Sequence, residues 1–413
     1  MEMKYYKREK YLQRIRPFYE SDIIKVITGI RRSGKSTILL SIIDELKEIG
    51  VSSEYIIYLS LDSKKYRKIK SCDDLEKTID SFIIHPEQKY YLFIDEVQNV
   101  RGFESLINAY REEGYSIFIT GSNSYLLSDE ISTKLTGRYL TFEIFTLDFK
   151  EYLEMKRFFH RSISEDLLVE FDEFMKDGGF PKSLEFVDRS DRRYYCEQIV
   201  EEIFVKDVKT RNKIRNILAF ERVQSYILNN FAAPFSIMNV VNAFKKMQIA
   251  IKPNTIRNYI EEMKKAKLIY ECNRFDLKSK KSLKREQKYY LADTSLFFVA
   301  NVNNTQNYGL TLENLIYLYL VSNGYQVSFG KIRDDLECDF IVRNKNNEYL
   351  YIQVAFTLHG ENSELIKERE YRPFRYIRDG YPRFIITLDR LRDQQEGVRH
   401  INAIDLFLGN VHF

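Results

Sequence analysis

The sequence predicts an α/β fold: a mostly parallel sheet flanked by helices in the N-terminal third, then a helical stretch, then a smaller mixed α/β part. Three observations predict it. A short apolar, β-branched run, IIKVIT (23–28), leads into a glycine-containing loop and then into a helix with a wide apolar face. Strand-like and helix-like segments then alternate as far as about Phe149, the pattern of a parallel sheet built from strand–helix–strand units. Beyond that residue the strand pattern fades and helical periodicity takes over.

Taken in order, IIKVIT reads as a strand buried on both faces, because nothing polar alternates with its apolar residues except one lysine. The helix TILLSIIDELKEIG carries Leu39, Ile42, Ile43, Leu46 and Ile49 on one side and stops at Gly50, a residue suited to a helix C-terminus. Strands follow near EYIIYLSL, KYYLFID and YSIFIT, separated by helical patterns at DDLEKTIDSFII and at FESLINAYREEG, which Gly114 ends. Helical periodicity then runs through EDLLVEFDEFMKDGG and DRRYYCEQIVEEIFVKDVKT to about Asn230, broken once by GGFP at 178–181. From about Pro234, SIMNVVNAFKKMQ and NTIRNYIEEMKKAKLI read as two amphipathic helices around an IAIKP turn. LIYECNRF and KYYLAD follow as strands around a polar, basic loop, which completes the order of a winged helix. The last part has a helix at LENLIYLYLVSNG, strands at YQVSFG, CDFIVR and EYLYIQVAF, and a late strand at RFIITL.

Composition sets outer limits. A chain of 413 residues exceeds what one core usually organises, so two or three domains are expected. With 44% hydrophobic and 30% charged residues the balance is that of an ordinary globular protein. No apolar run approaches the roughly 20 residues of a spanning helix, and MEMKYYKREKYLQRIRPFYE lacks the apolar stretch of a secretory signal; a cytoplasmic address is expected. Cys72, Cys196, Cys272 and Cys338 lie far apart with no CxxC spacing, which argues for reduced thiols over a zinc site or a disulfide framework. A net charge of +4 is too small to argue for nucleic acid by itself, so that argument must come from local clusters.

The chemistry-bearing motif lies between the first strand and its helix. Gly29, Ile30, Arg31, Arg32, Ser33, Gly34, Lys35 and Ser36 fit GxxxxGK[ST] at every fixed position. Glycines let backbone N–H groups turn onto phosphates, and the helix N-terminus adds the positive end of its dipole. Lys35 is expected to reach the β- and γ-phosphates of ATP, and Ser36 to supply a hydroxyl ligand for Mg²⁺, with Thr37 the next candidate. YLFIDE ends in Asp95 and Glu96 at the C-terminal end of a strand, where ligands of α/β sheets bind. Asp95 is read as a holder of the Mg²⁺ hydration shell and Glu96 as the residue that orients or deprotonates the attacking water. IFITGSNS offers Asn123 and Ser122, with Thr120 behind them, to sense the γ-phosphate; plain turn chemistry would account for them equally well. Arg138 in KLTGRY is a candidate to stabilise phosphoryl charge, in its own subunit or in a neighbour if the protein forms a homo-oligomer.

On GIRRSGKST, YLFIDEVQN, ITGSNS, LTGRYLTFEIFTLDFKEYLE, YLADTSL and LENLIY, over nearly its whole length, the chain resembles prokaryotic AAA-superfamily P-loop ATPases with a C-terminal domain of unknown function. The resemblance implies ATPase chemistry with ATP and Mg²⁺, and little about the task. The resulting division is 1–150 as an AAA-type P-loop domain, 151–230 as a helical region, 231–292 as a winged helix and 293–413 as a restriction-endonuclease-like α/β domain.

Two further features bear on partners. Lys252, Asn254, Arg257, Asn258, Lys264, Lys265 and Lys267 on the second winged-helix segment, with Lys278, Lys280, Lys281, Lys284, Arg285 and Lys288 in the loop, could lie along the backbone of double-stranded DNA. Glu313, Asp339 and Gln353 resemble the layout of restriction-endonuclease-like nucleases, where acids bind Mg²⁺ and a lysine follows two residues after the last of them. That position here is Ala355, and Gln353 replaces the usual acid, so the fold is expected without the reaction unless a lysine arrives from elsewhere. The expected function is an ATP-driven conformational switch on DNA or a protein partner. The alternatives are an ATP-gated nuclease and an ATP-binding regulatory protein with little turnover.

Overall fold

The structure, a computed structural model, describes residues 5–121, 134–204, 214, 216–277, 281–300, 307–333, 336–391 and 394–413. Contacts divide the chain into two compact units, Met1–Phe145 and Thr146–Phe413. No helix among the described residues is long and apolar enough to cross a membrane.

The first unit holds helices α1 (Glu9–Ile15), α2 (Lys35–Glu48), α3 (Cys72–Asp80) and α4 (Phe103–Glu112) and strands β1 (Ile24–Thr28), β2 (Ile56–Ser60), β3 (Tyr91–Asp95), β4 (Ser116–Thr120) and β5 (Tyr139–Glu143). The strands form one sheet in the order β2-β3-β4-β1-β5, parallel throughout. Because side chains alternate across a strand, each central strand feeds two cores. Ile24, Val26, Leu92, Ile94, Ile117 and Ile119 pack with residues of α3 and α4 such as Leu75, Ile79, Leu106 and Ile107. Ile27, Phe93 and Phe118 pack on the other face with Leu12, Ile15, Ile38, Leu39 and Ile42 of α1 and α2. Helix α3 starts on Ser71, whose hydroxyl accepts from the Asp74 N–H, and ends at Asp80, short of the full DDLEKTIDSFII pattern.

The topology matters for function. Strand β4 lies between β1 and β3, so the loop after β1 and the carboxylates after β3 flank the C-terminal end of β4 at one edge of the sheet.

The second unit contains α5 (Phe149–Phe158), α6 (Leu167–Asp177), α7 (Arg189–Ile203), α8 (Ile217–Asn229), α9 (Ile237–Lys246), α10 (Pro253–Lys265), α11 (Ser295–Ala300), α12 (Tyr308–Ser322), α13 (Ser363–Tyr371) and α14 (Ala403–Leu408). Its strands are β6 (Pro234–Phe235), β7 (Ile269–Asp276), β8 (Lys281–Leu291), β9 (Gln326–Arg333), β10 (Leu336–Arg343), β11 (Tyr349–Val354), β12 (Arg383–Thr387) and β13 (Arg399–Asn402). They make one mixed sheet in the order β13-β12-β11-β10-β9-β7-β8-β6. The β7–β8 hairpin joins the C-terminal strands through a short parallel pairing of Arg274 with Phe329 and Phe275 with Gly330. Helix α5 begins with a capping box, Asp148 accepting from the Glu151 N–H and Glu151 reaching back to the Asp148 N–H.

One expectation is corrected here. The basic stretch after β7 is mostly strand, not loop, since β8 starts at Lys281 and pairs antiparallel with β7 from Asp276↔Lys281 onward. Lys281, Lys284, Arg285 and Lys288 therefore belong to β8, while Lys278 and Lys280 lie outside the described residues.

Candidate functional site

The loop after β1 has the backbone that phosphate binding needs. Gly29 adopts φ +134° and Gly34 φ +97°, both in the left-handed region where a side chain is strained. A Cβ on Gly29 would also lie 2.1 Å from the Ile144 carbonyl oxygen, because the Ile144 N–H binds the Thr28 carbonyl at 2.9 Å and seats the chain after β5 against the loop. Helix α2 starts at Lys35, directly after Gly34, so its unsatisfied N–H groups open onto the loop. Lys35 Nζ donates to the carbonyls of Gly29 at 2.9 Å and Ile30 at 3.1 Å. Ser33 is fully buried, and its Oγ, like Thr28 Oγ1, has no hydrogen-bond partner among the described residues. Ser36 is exposed and Thr37 half-buried in the first turn of α2, and Arg31 and Arg32 lie within the loop, Arg32 with φ +68°.

Sequence reading missed one support of this loop. Arg8, 3% exposed, donates from Nη1 to the Ser33 carbonyl at 3.0 Å and the Phe145 carbonyl at 2.7 Å. Its guanidinium lies 4.6 Å from the Tyr11 ring centroid. No motif contains Arg8; the only signal is an arginine directly before the apolar face of α1.

Asp95 closes β3 and is buried. The Thr120 hydroxyl donates to Asp95 Oδ1 and accepts from the Glu96 N–H at 3.2 Å. Glu96 stands at φ +59°, an uncommon conformation for a residue with a side chain, and its Oε2 accepts from Gln98 Nε2. Thr120, noted from sequence only as lying behind Asn123, thus ties the two acidic residues together. Asn123 and Ser122 fall outside the described residues. Arg138 lies elsewhere: it is exposed, its carbonyl accepts from the Ile24 N–H at 2.9 Å, and β5 pairs Tyr139 with Ile24. It therefore stands at the opposite end of β1 from Gly29, a strand length of roughly 15 Å away at about 3.3 Å per residue.

Residues 21–153 match the AAA domain family, and residues 169–307 match a domain of unknown function (DUF8612). An uncharacterized protein of Haemophilus influenzae is 34% identical over 404 residues, 97% of this chain and 98% of that one. This chain belongs to that family of AAA-domain proteins. An uncharacterized protein of Methanocaldococcus jannaschii is 33% identical over 359 residues, 85% of this chain and 78% of its own. Among solved structures, the Walker-type ATPase of Pyrococcus abyssi matches with a TM-score of 0.51 at 16% identity, covering 72% of this chain and 96% of that one. It shares the fold, and this AAA-domain protein has the parallel five-stranded sheet of P-loop ATPases.

The second unit brings the other predicted constellation together and adds to it. Glu313 on α12 and Asp339 on β10 line, with Gln353 on β11, a cavity of about 540 Å³. Lys288 on β8, a strand that pairs with β7 and β6 and lies apart from β10 and β11 in the sheet order, reaches Glu313, so a lysine does arrive beside these acids from outside the motif. It is only 3% exposed, and its Nζ lies 3.2 Å from Glu313 Oε1 and 3.5 Å from Glu337 Oε2. Tyr290, two residues on and so on the same face of β8, donates to the same Glu313 oxygen at 2.6 Å. Burial lowers the Lys288 pKa, but the charges of Glu313, Asp339 and Glu337 outweigh it and leave the ammonium raised above its ordinary value. Burial, followed by Glu313, pushes the Asp339 carboxyl well above the usual range, against Lys288. Gln353 Oε1 accepts from the Asp339 N–H at 2.7 Å, and its Nε2 donates to Glu370 at 3.0 Å. The reading of Lys288 as a surface contact to DNA is thereby corrected, because its alternation on β8 turns it inward. On α10, Lys264 pairs with Glu261 and Glu271, Lys265 pairs with Glu262, and Arg257 donates to Asn254.

Proposed function

We propose that this AAA-domain protein hydrolyses ATP at the loop from Gly29 to Ser36 and that the ATP cycle drives a conformational switch on a macromolecular partner. The observation that carries it is the Asp95–Thr120–Glu96 arrangement beside a strained glycine loop. A chain that only bound nucleotide would have no use for a water-orienting carboxylate held at a left-handed backbone position. The buried Ser33 and Thr28 hydroxyls, which have no hydrogen-bond partner among the described residues, and the glycine backbone at Gly29 fit a triphosphate.

In this mechanism Lys35 exchanges its two loop carbonyls for the β- and γ-phosphate oxygens. Backbone N–H groups of the loop and the start of α2 bind the remaining phosphate oxygens. Ser36 and Asp95, the latter through water, would hold Mg²⁺, which when bound neutralises charge on the β- and γ-phosphates. Thr120 keeps Asp95 oriented by donating to it and fixes the Glu96 backbone by accepting from its N–H. Glu96 then orients a water and takes up its proton as the water oxygen bonds to the γ-phosphorus. The bond to the bridging oxygen breaks with its electron pair staying on ADP. Asn123 is assigned to sensing the γ-phosphate. Arg138 is assigned to a neighbouring chain of a homo-oligomer, since it stands at the end of β1 opposite its own nucleotide loop, a strand length of roughly 15 Å away.

The partner we favour is double-stranded DNA, bound by the segment 231–292 read as a winged helix, with 293–413 read as a restriction-endonuclease-like fold. Support comes from the helix–turn–helix–hairpin order and from the basic residues of α10, together with Lys281, Lys284 and Arg285 in the sequence of β8. The glutamate pairs on Lys264 and Lys265 reduce the number of phosphates this face can neutralise. The test is ATP turnover and DNA affinity measured together across a salt series. The account expects turnover to rise with duplex DNA and the log–log salt slope of affinity to be about −2 to −4, near −0.9 per phosphate contact. A flat slope with unstimulated turnover would transfer the switch to a protein partner.

A further inference from the structure

The loop between β1 and α2 contains one peptide that regular secondary structure does not hold. Ser33 stands between two residues in the left-handed region, Arg32 at φ +68° and Gly34 at φ +97°, a backbone that persists only where its surroundings fix it. The Ser33 N–H donates to the Ile30 carbonyl at 3.2 Å, and the Ser33 carbonyl accepts from Arg8 Nη1 at 3.0 Å. The Gly34 N–H, the other polar group of that peptide, makes no backbone hydrogen bond among the described residues. Arg8 is fixed before it reaches the loop. Its carbonyl accepts from the N–H groups of Tyr11 at 3.0 Å and Leu12 at 3.3 Å, where α1 begins. Its Nη1 also donates to the Phe145 carbonyl at 2.7 Å, and Phe145 is held in turn by its N–H on the Tyr11 hydroxyl at 3.2 Å.

We propose that Arg8 is a positioning residue for the nucleotide: by holding the Ser33 carbonyl it turns the Gly34 N–H toward the phosphates, and so acts on them through the backbone. This role rests on the reading of Gly29–Ser36 as the nucleotide site and adds to that site a residue from outside the motif.

In a planar trans peptide the N–H of one residue points opposite to the carbonyl of the residue before it, so a Ser33 carbonyl held on Arg8 sends the Gly34 N–H away from Arg8. Arg8 and Ser33 are buried, whereas Gly34 and Lys35 are half-buried and Ser36 is exposed. The direction away from Arg8 is therefore the open side of the loop, beside the first turn of α2, where backbone N–H groups receive phosphate. The reverse orientation would work against binding. A flipped peptide would present its carbonyl oxygen, the negative end of its dipole, to an anion, and would take from a buried guanidinium one of its acceptors. Fixing the peptide in advance also spares the bound state that ordering. Where only a fraction of molecules holds the competent loop, apparent affinity falls by that fraction.

The experiment titrates the full chain with a fluorescent ATP analogue in Mg²⁺, uses inorganic tripolyphosphate as a competitor, and measures KM and kcat for ATP. Arg8→Met and Arg8→Lys are compared with the wild type and with Ile79→Ala, which loosens the core on the other face of the sheet. If the competent orientation of the Ser33–Gly34 peptide drops to about one molecule in ten in Arg8→Met, affinity for the analogue and for tripolyphosphate falls about tenfold and KM rises with it. Its kcat stays within about twofold of the wild type, the pattern of lost uniform binding. Arg8→Lys keeps an ammonium donor and should recover affinity to within about threefold of the wild type. Ile79→Ala should lose stability and keep affinity. Equal affinity in Arg8→Met and the wild type overturns the assignment, as does a loss of the same size in Ile79→Ala. A wild type that binds neither the analogue nor tripolyphosphate overturns the nucleotide-site reading as well, which sets that failure apart. Should Arg8→Met fail to fold, hydrogen exchange resolved at Gly34 in the wild type decides together with Arg8→Lys. The Gly34 amide should exchange freely without ligand and be slowed by at least about tenfold with Mg²⁺ and ADP. That protection, with the recovery in Arg8→Lys, upholds the assignment; a Gly34 amide left unprotected by the nucleotide overturns it.

Discussion

Lys25 lies in the middle of β1, fully buried, on the strand that leads into the nucleotide loop. Its Nζ donates to the Ser21 carbonyl at 3.0 Å and to Ser116 Oγ at 2.8 Å and lies 4.4 Å from the Phe118 ring centroid. Neither hydrogen-bond acceptor is a carboxylate, so burial, followed by repulsion from Lys89, lowers its pKa from 10.5 to about 7. Folding therefore works against this charge. The penalty is fully present below about pH 7, where the folded lysine is protonated, and it fades as pH rises toward 10.5, where the unfolded chain also loses the proton. A difference of about 3.5 pH units at 1.36 kcal/mol each sets an upper bound of about 5 kcal/mol. Lys25→Met removes that penalty but forfeits two hydrogen bonds, roughly 2 kcal/mol together. The net expectation is about 2 to 3 kcal/mol of added stability at about pH 6. At about pH 9 the penalty has fallen to about 2 kcal/mol, so the gain is near zero. Calorimetry of the full chain should find the transition of the first unit raised by on the order of 8 °C at about pH 6 and unchanged at about pH 9. A shift that is the same at both pH values, or a loss of stability at the lower one, would refute the reasoning.

Two more substitutions address the nucleotide site. Gly29→Ala places a methyl against the Ile144 carbonyl at a backbone angle that suits only glycine, and should cost about 3 kcal/mol and abolish nucleotide binding, read by fluorescent-nucleotide titration; retained binding would mean the loop has another form. Thr120→Val leaves Asp95 Oδ1 and the Glu96 N–H without their shared hydroxyl. It should lower ATP turnover about tenfold, equivalent to roughly 1.4 kcal/mol, with nucleotide affinity little changed, as steady-state kinetics and binding measured side by side will tell.

How much of this is legible in the sequence depends on how local each feature is. The loop at Gly29–Ser36 and the acids at Asp95 and Glu96 are read directly, because backbone geometry and strand-end position are set by contiguous residues. The placement of β4 between β1 and β3 depends on long-range pairing and has no local signature, so Thr120's link between the acids cannot be anticipated. Arg8 acts on Phe145, 137 residues away, and no periodicity reports that. Lys288 is misread from sequence because the charges around it imitate an exposed basic loop. The alternation that puts Lys288 and Tyr290 on one face of KYYLAD is available, but only the arrival of Glu313 from α12 tells which face is inside. The layout of Glu313, Asp339 and Gln353 is drawn together from sequence, while the lysine among those acids comes from outside the motif.

The central claim, that ATP is hydrolysed at this loop with Glu96 orienting the water, is tested most directly by comparing the wild type with Glu96→Gln for ATP affinity and steady-state turnover in Mg²⁺. The account predicts that Glu96→Gln binds ATP as tightly as the wild type, within about twofold, and loses turnover by roughly a hundredfold or more, a loss of about 2.7 kcal/mol in transition-state stabilisation. Equal turnover in the two proteins would contradict it.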